Sequence, residues 1–212
     1  VRTEQEDPDS AAKGQTSEGQ APDDQTPENP SPQEQLEARV QETLDGMTLE
    51  EKVNQLFMVT PEQLTGVGTA VQAGEATRAA LEQHPVGGVI YFAQNLQSPD
   101  QTRQMLANTS QYGEEAAGFP IFLSVDEEGG QVSRIASNPA FQVPSFEYMS
   151  QVGQRGNTQE AYDIGSQIGA YLRDLGFNMD AAPDADVLTN PANEVVKYRS
   201  FGADPQLVAS MA

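Results

Sequence analysis

The sequence predicts an α/β fold: four strand–helix units that form the first half of a (β/α)8 TIM-type barrel, preceded by a disordered acidic tail. Short apolar stretches alternate with amphipathic helical stretches through residues 34–212, which is typical of parallel strands joined by right-handed crossovers. Four units of about 40 residues are half of the eight that close a barrel. A complete doubly wound sheet is the alternative, although no G-x-G-x-x-G stretch follows any of the strands.

The chain is strongly acidic. Its 212 residues include 32 Asp and Glu against 11 Lys and Arg, a formal net charge of -21. This charge disfavours binding to nucleic-acid backbones and to anionic membrane surfaces. The absence of Cys and the single His exclude a disulfide, a thiolate zinc site and a multi-histidine site within this chain. We expect no metal and no cofactor. No apolar run approaches the roughly 20 residues of a membrane-spanning helix.

Residues 1–33 differ in composition from the rest of the chain. They are rich in Glu, Asp, Gln, Ser, Thr and Pro and contain no Leu, Ile, Phe, Tyr or Met. Such a segment buries too little apolar surface to offset its conformational entropy, so we expect disorder. It is either a solvated tail or a spacer that tethers an exported domain after a leader has been removed. The expected location is therefore extracellular or at the cell surface, with a cytoplasmic protein as the alternative.

Capping signals mark the first ordered elements. Capping boxes begin at Ser31 and at Thr48, and the helix that follows the first of them ends at Gly46. That helix carries a single apolar stripe, at Leu36, Val40 and Leu44. Residues 56–59 then predict a buried strand, closed by Pro61.

Two further strand–helix units follow. Residues 70–83 predict a helix that is broken or weakened at Gly74, and residues 85–92 predict a strand that is apolar on both faces. A helix over residues 99–117 leads into a third strand at residues 119–125.

The last part of the chain begins irregularly. Residues 135–156 contain several Pro and Gly and predict no regular element. A helix capped by Thr158 follows, with one apolar face at Ala161, Ile164, Ile168, Leu172 and Leu175. Residues 177–182 predict the fourth strand, and after a polar loop Asp204 begins a final helix.

A group of charged residues and glycines follows the third strand directly: Asp126, Glu127, Glu128, Gly129, Gly130 and Arg134. Active sites of α/β barrels lie at the carboxyl ends of the strands. Adjacent acids with an arginine at that position suggest carboxylate chemistry on a polyol or a sugar. The alternative is a solvated acidic turn with Arg134 as its counter-ion.

Four stretches together resemble a known family: residues 47–59, 86–95, 125–134 and 182–205, the last with Arg-Ser-Phe-Gly at residues 199–202. In this order and at this spacing they resemble the N-terminal part of a glycoside hydrolase family 3 catalytic domain, here at residues 34–212. The bacterial β-N-acetylglucosaminidase branch is the most similar, because Glu-Gly-Gly stands where the β-glucosidase branch usually has a His-Gly pair.

The resemblance implies a role for several side chains. Asp126 would accept hydrogen bonds from sugar hydroxyls, and Arg134 and Arg199 would donate to the same sugar. The two glycines after the acids would allow a tight turn beside the sugar, and Asp186 would order the loop after the fourth strand. Glu127 and the glutamate that follows it are left without a role.

The family's catalytic stretches do not appear in this chain. The Lys-His-Phe-Pro-Gly-His-Gly stretch, the Asp-His acid/base pair and the nucleophilic Asp have no counterpart, and His84 stands at a predicted helix end. The resemblance therefore implies no catalytic residue here and, as a partner, a missing C-terminal half of the barrel. The implied activity is removal of terminal β-N-acetylglucosamine from a glycan or muropeptide with retention. A β-glucosidase and a non-catalytic sugar-binding remnant are the alternatives.

Overall fold

The computed structural model describes residues 29–212, so most of the predicted tail lies outside the described residues. The helices α1–α8 span Pro32–Gly46, Leu49–Asn54, Pro61–Thr65, Glu75–Gln83, Pro99–Ala117, Met149–Arg155, Thr158–Leu175 and Pro205–Met211. The strands β1–β4 span Met58–Val59, Gly88–Tyr91, Phe122–Val125 and Met179–Asp180. Within residues 29–212, no helix has the length and hydropathy needed to cross a membrane.

The chain divides into two units. Helix α1 belongs almost entirely to the N-terminal unit, and residues 46–212 form the second, compact unit. As predicted, α1 begins just after Ser31, whose hydroxyl and main-chain N–H both donate to Glu34 at 2.7 Å. The apolar stripe of α1 is exposed to solvent along its whole length.

The four strands form one parallel sheet in the order β1-β2-β3-β4. Each strand pairs with the next one in the chain, so the sheet grows in one direction only. A doubly wound sheet reverses direction at a switch point, whereas a barrel does not. The barrel prediction is confirmed by this order, and the doubly wound alternative is wrong.

The core lies between the sheet and the crossover helices. Val89 and Leu123 are partners in the ladder, as are Tyr91 and Val125, and all four are at most 2% exposed. Helices α4, α5, α7 and α8 pack in sequence over this side of the sheet. The opposite side includes Phe122, which is 56% exposed. That side is the inner face of a barrel, and the carboxyl edge of the sheet leads into the candidate site.

Several predicted boundaries were wrong. The first strand is restricted to Met58–Val59, and Leu56 is 83% exposed, because the preceding residues continue the turn of α2 instead of joining the sheet. Pro61 does not end the strand. It is the first residue of α3, and Thr60 is the N-cap of that helix. Helix α4 begins at Glu75, since Gly74 is its N-cap.

The segment 135–156 was predicted to be irregular but contains α6. This helix is short, and its N-cap, Tyr148, makes no side-chain capping bond, so the sequence carries no start signal. Gly153 in α6 lies directly against the carbonyl oxygen of Phe201, which a Cβ atom would approach to 1.7 Å. The next helix, α7, is capped by Asn157, one residue earlier than predicted.

Candidate functional site

The acids lie at the carboxyl edge of the sheet, immediately after β3. Strand alternation sends successive side chains to opposite faces. Asp126 and Glu128 contact arginines of the surrounding loops, whereas Glu127 turns the other way and contacts Tyr171 of α7. Three adjacent acids therefore have three different environments.

Glu127 is completely buried and saturated with hydrogen bonds. Its carboxylate accepts from five donors at 2.5–3.0 Å: the hydroxyls of Ser133 and Tyr171 and the main-chain N–H groups of Arg134, Ile135 and Ala136. A carboxylate with this many partners has no acceptor capacity left for a ligand.

Asp126 is partly open to solvent. Its Oδ2 lies 3.4 Å from Nη2 of Arg134, and the two side chains are 22% and 26% exposed. Within residues 29–212 this long contact is the only side-chain hydrogen bond of Asp126. The guanidinium of Arg134 lies 5.7 Å from the ring centroid of Phe92, and its Nε is buried with no partner in the described part of the chain. Both charged groups thus keep unused hydrogen-bonding capacity, on side chains that are each partly exposed.

Arg199 is held by two buried carboxylates. Its Nε and Nη2 donate to Glu128 at 2.8 and 2.7 Å, and Nε lies 3.4 Å from Oδ2 of Asp184. The side chains of Glu128 and Asp184 are each 4% exposed. The hydrogen bonds that Arg199 donates to Glu128 raise the pKa of Arg199, with smaller contributions from the charges of Asp184 and Asp126. This bidentate pairing engages one edge of the guanidinium and leaves Nη1 free of protein hydrogen bonds among the described residues.

Asp180 is a further acid near the site that the sequence did not single out. It is the ladder partner of Val125, and its Oδ1 accepts the main-chain N–H of Glu127 at 3.0 Å. Burial raises the pKa of Asp180 to about 7, and the charges of Glu127, Asp126 and Glu128 add to this effect. Because Asp180 shares a face with Val125, it points toward the helix layer and away from Asp126.

The glycines after the acids adopt left-handed conformations, with φ of 88° at Gly129 and 56° at Gly130. The turn is closed by the N–H of Glu128, which donates to the carbonyl of Val132 at 2.8 Å. A Cβ atom on Gly130 would lie 2.7 Å from the ring of Tyr148, so this position requires glycine for space as well as for φ.

Asp186 lies outside this group of side chains. It is exposed, and the loop after β4 involves only its main chain: its N–H donates to Asp184 at 2.9 Å and its carbonyl accepts from Ser200 at 2.6 Å. The ordering side chain in this loop is therefore Asp184. His84 is the C-cap residue of α4.

Four residues of the site were missed as functional candidates or left without a role: Glu127, Glu128, Tyr171 and Asp184. A signal existed for the two glutamates, since acids that directly follow an apolar strand need partners. No local signal marks Tyr171 or Asp184, because their partners are distant in sequence.

The strand order and the charged cluster at the strand ends define the class of this protein: an α/β-barrel protein with a carboxylate–guanidinium site. Residues 48–212 match the family model described as "Glycosyl hydrolase family 3 N terminal domain". The chain therefore belongs to glycosyl hydrolase family 3, as its sequence predicted.

Known relatives agree with this assignment. Beta-hexosaminidase A of Pseudoalteromonas piscicida is 33% identical over 138 residues, which is 62% of this chain and 22% of that protein. The beta-hexosaminidase of Bordetella avium is 33% identical over 148 residues, 67% of this chain and 41% of that protein. The solved structure of a family 3 beta-N-acetylglucosaminidase from a Paenibacillus strain superposes with a TM-score of 0.67 at 34% identity, covering 78% of this chain and 30% of that one. The chain thus spans less than half of each relative.

Proposed function

We propose that this chain forms part of the sugar-binding site of a β-N-acetylhexosaminidase. The complete protein removes terminal β-N-acetylglucosamine from a glycan or muropeptide by a retaining mechanism. Family membership supports glycoside hydrolysis. The names of the similar proteins, two beta-hexosaminidases and a beta-N-acetylglucosaminidase, support the N-acetylhexosamine preference.

The contrast between Asp126 and Glu127 is the observation that carries this proposal. Asp126 is partly exposed and accepts one long hydrogen bond among the described residues, whereas Glu127 is buried and accepts five. A neutral sugar presents hydroxyl donors, and a hydrogen bond to an ionised acceptor contributes roughly 1.5–3 kcal/mol. Arg134 beside Asp126 donates to sugar oxygens from the same position.

Bond cleavage is assigned to the part of the protein that this chain does not cover. A general acid needs a raised pKa and access to the glycosidic oxygen. Asp180 has the raised pKa, of about 7, but it faces the helix layer and accepts a main-chain N–H. Asp126 has the access, but its carboxylate is paired with the guanidinium of Arg134 at 3.4 Å. Neither combines the two properties.

The test uses the complete product of the gene that encodes this chain. It should hydrolyse a chromogenic β-N-acetylglucosaminide in preference to the matching β-glucoside. Asp126→Ala should lower kcat/KM roughly 10- to 100-fold, the equivalent of one charge-assisted hydrogen bond. Asp100→Ala, at a fully exposed side chain on α5, is the matched control and should have no effect.

Three other results would each point elsewhere. Preference for the glucoside would identify a β-glucosidase. Binding of N-acetylglucosamine without hydrolysis would identify a sugar-binding remnant. Unchanged kinetics of Asp126→Ala would remove Asp126 from the sugar site.

A further inference from the structure

Glu127 occupies an anion-binding nest made by the chain itself. The segment 133–136 folds around its carboxylate so that three consecutive main-chain N–H groups and the Ser133 hydroxyl converge on it. Successive N–H groups arranged in this way form a concave site for an anion. A fifth hydrogen bond, at 2.8 Å, comes from the phenol of Tyr171 in α7. Burial and the charge of Glu127 raise the pKa of Tyr171, so the phenol stays protonated and donates.

Glu127 is linked to the candidate sugar site in two ways: by a hydrogen bond to the main chain of Arg134 and by the peptide bond to Asp126. Arg134, whose N–H lies 2.5 Å from the Glu127 carboxylate, carries the guanidinium that meets Asp126. Asp126 itself directly precedes Glu127 and follows β3. The carboxylate therefore joins the strand that bears Asp126 to the loop that bears Arg134, and Tyr171 anchors it to the helix layer.

We infer that Glu127, anchored by Tyr171, is a positioning residue that sets the geometry of the Asp126–Arg134 pair for sugar binding. This inference rests on the proposed function. Without the carboxylate, the three N–H groups of the nest lose their acceptor. The hydrogen bonds that hold the loop around Glu127 are then absent. A displacement of about 1 Å in a binding group is enough to change a rate roughly 100-fold.

The hydrogen-bond pattern predicts which substitutions preserve this role. The N–H groups of Arg134 and Ile135 share Oε2, whereas both hydroxyls and the N–H of Ala136 share Oε1. In Glu127→Gln, the remaining oxygen accepts the first two N–H groups and the amide NH2 donates to the hydroxyls, which rotate to accept. Only the N–H of Ala136 is left without an acceptor, so Glu127→Gln should retain most of the function. Glu127→Ala, in contrast, removes all five bonds.

Tyr171→Phe removes a single bond to Glu127 and has a matched control elsewhere in the core. Tyr91→Phe also removes one buried phenol, which donates to Thr109 at 2.8 Å between β2 and α5. Both substitutions lower the free energy of unfolding by a similar amount, since each removes one buried hydrogen bond. Only Tyr171→Phe removes a bond to Glu127.

The experiment measures N-acetylglucosamine affinity by titration calorimetry, together with kcat and KM, on the complete gene product well below each variant's melting temperature. Glu127→Ala should weaken binding roughly 100-fold and Tyr171→Phe roughly fivefold. Glu127→Gln should stay within about threefold of wild type, and Tyr91→Phe should bind as wild type does.

Two outcomes separate this inference from the proposed function. A wild-type protein that binds the sugar, with Tyr171→Phe binding as tightly as Tyr91→Phe, would overturn the positioning role and leave the function standing. A wild type that neither binds nor cleaves N-acetylglucosaminides would reject the function and the inference together. If Glu127→Ala does not fold, the comparison of the two tyrosine variants decides.

Discussion

Replacing Arg199 by Met should destabilise the protein strongly, because Arg199 is the counter-ion of two buried carboxylates. Methionine keeps the apolar stem and most of the length of the side chain but removes every N–H donor. The carboxylate of Glu128 then loses both of its hydrogen bonds, and Asp184 loses the cation 3.4 Å away. The substitution leaves two acids, each 4% exposed, without a compensating charge.

The size of the effect follows from the burial of the pair. Removing one partner of a buried ion pair costs about 3–5 kcal/mol, a large share of the roughly 5–15 kcal/mol by which domains are stable. For a chain of this length, each kcal/mol corresponds to about 2–4 °C in melting temperature. The melting temperature of Arg199→Met should therefore fall by roughly 6–20 °C.

Urea and thermal unfolding followed by circular dichroism measure this change. The double variant Arg199→Met, Glu128→Met removes charge from both sides of the bidentate pair and should recover part of the lost stability, since Asp184 stays without its cation. It should not recover sugar affinity, because the guanidinium is still absent. Arg103→Met, at an exposed ion pair with Asp100, is the matched control and should change stability by less than about 1 kcal/mol.

The outcome that contradicts this reasoning is a single variant as stable as wild type. A double variant no more stable than the single one would also contradict it, since the uncompensated buried carboxylate would then not be the cause. Recovery of sugar affinity in the double variant would remove Arg199 from the sugar site while leaving its structural role intact.

Two further predictions concern the surroundings of the site. Burial raises the pKa of Asp180 from its ordinary 3.8 to about 7, so the folded state favours the neutral acid. The stability that the neutral Asp180 contributes is complete below pH 3.8 and is lost as the pH rises through 7. Asp180→Asn keeps the acceptor for the Glu127 N–H. Relative to wild type, its free energy of unfolding should rise by about 1–2 kcal/mol between pH 4 and pH 8, after allowance for partial exposure. Urea unfolding at both pH values measures this gain, and parallel pH profiles for the two proteins would reject it. Gly153→Ala places a Cβ 1.7 Å from the carbonyl oxygen of Phe201, which should force α6 away and cost about 3 kcal/mol or more. Gly165→Ala, in α7 with no atom within 4 Å of the new Cβ, should instead gain about 1 kcal/mol; equal melting temperatures for these two variants would show that the close contact is not limiting.

Much of the fold could be predicted from the sequence because its signals are local. Ser98 caps α5 and Gly118 ends it in the left-handed conformation, as their residue types favour. Four of the five residues on the predicted apolar face of α7 are buried; Ala161 is only partly buried, and Tyr171 is an addition. The acids after β3 marked the carboxyl edge of the sheet. The failures, α6 and the first strand, occur where no cap or regular alternation exists.

The sequence by itself determined the order of the elements, the parallel sheet and the place of the acids, since each depends on residues close together in the chain. Only the tertiary structure decided what the individual acids do. Arg199 is 71 positions from Glu128, and Tyr171 is 44 from Glu127. Such partners meet only when the crossovers bring separate loops and helices to one edge of the sheet. Residue type does not encode burial or the geometry of the partners. These two properties leave Asp126 free to accept further hydrogen bonds, whereas the acceptor sites of Glu127 are all occupied.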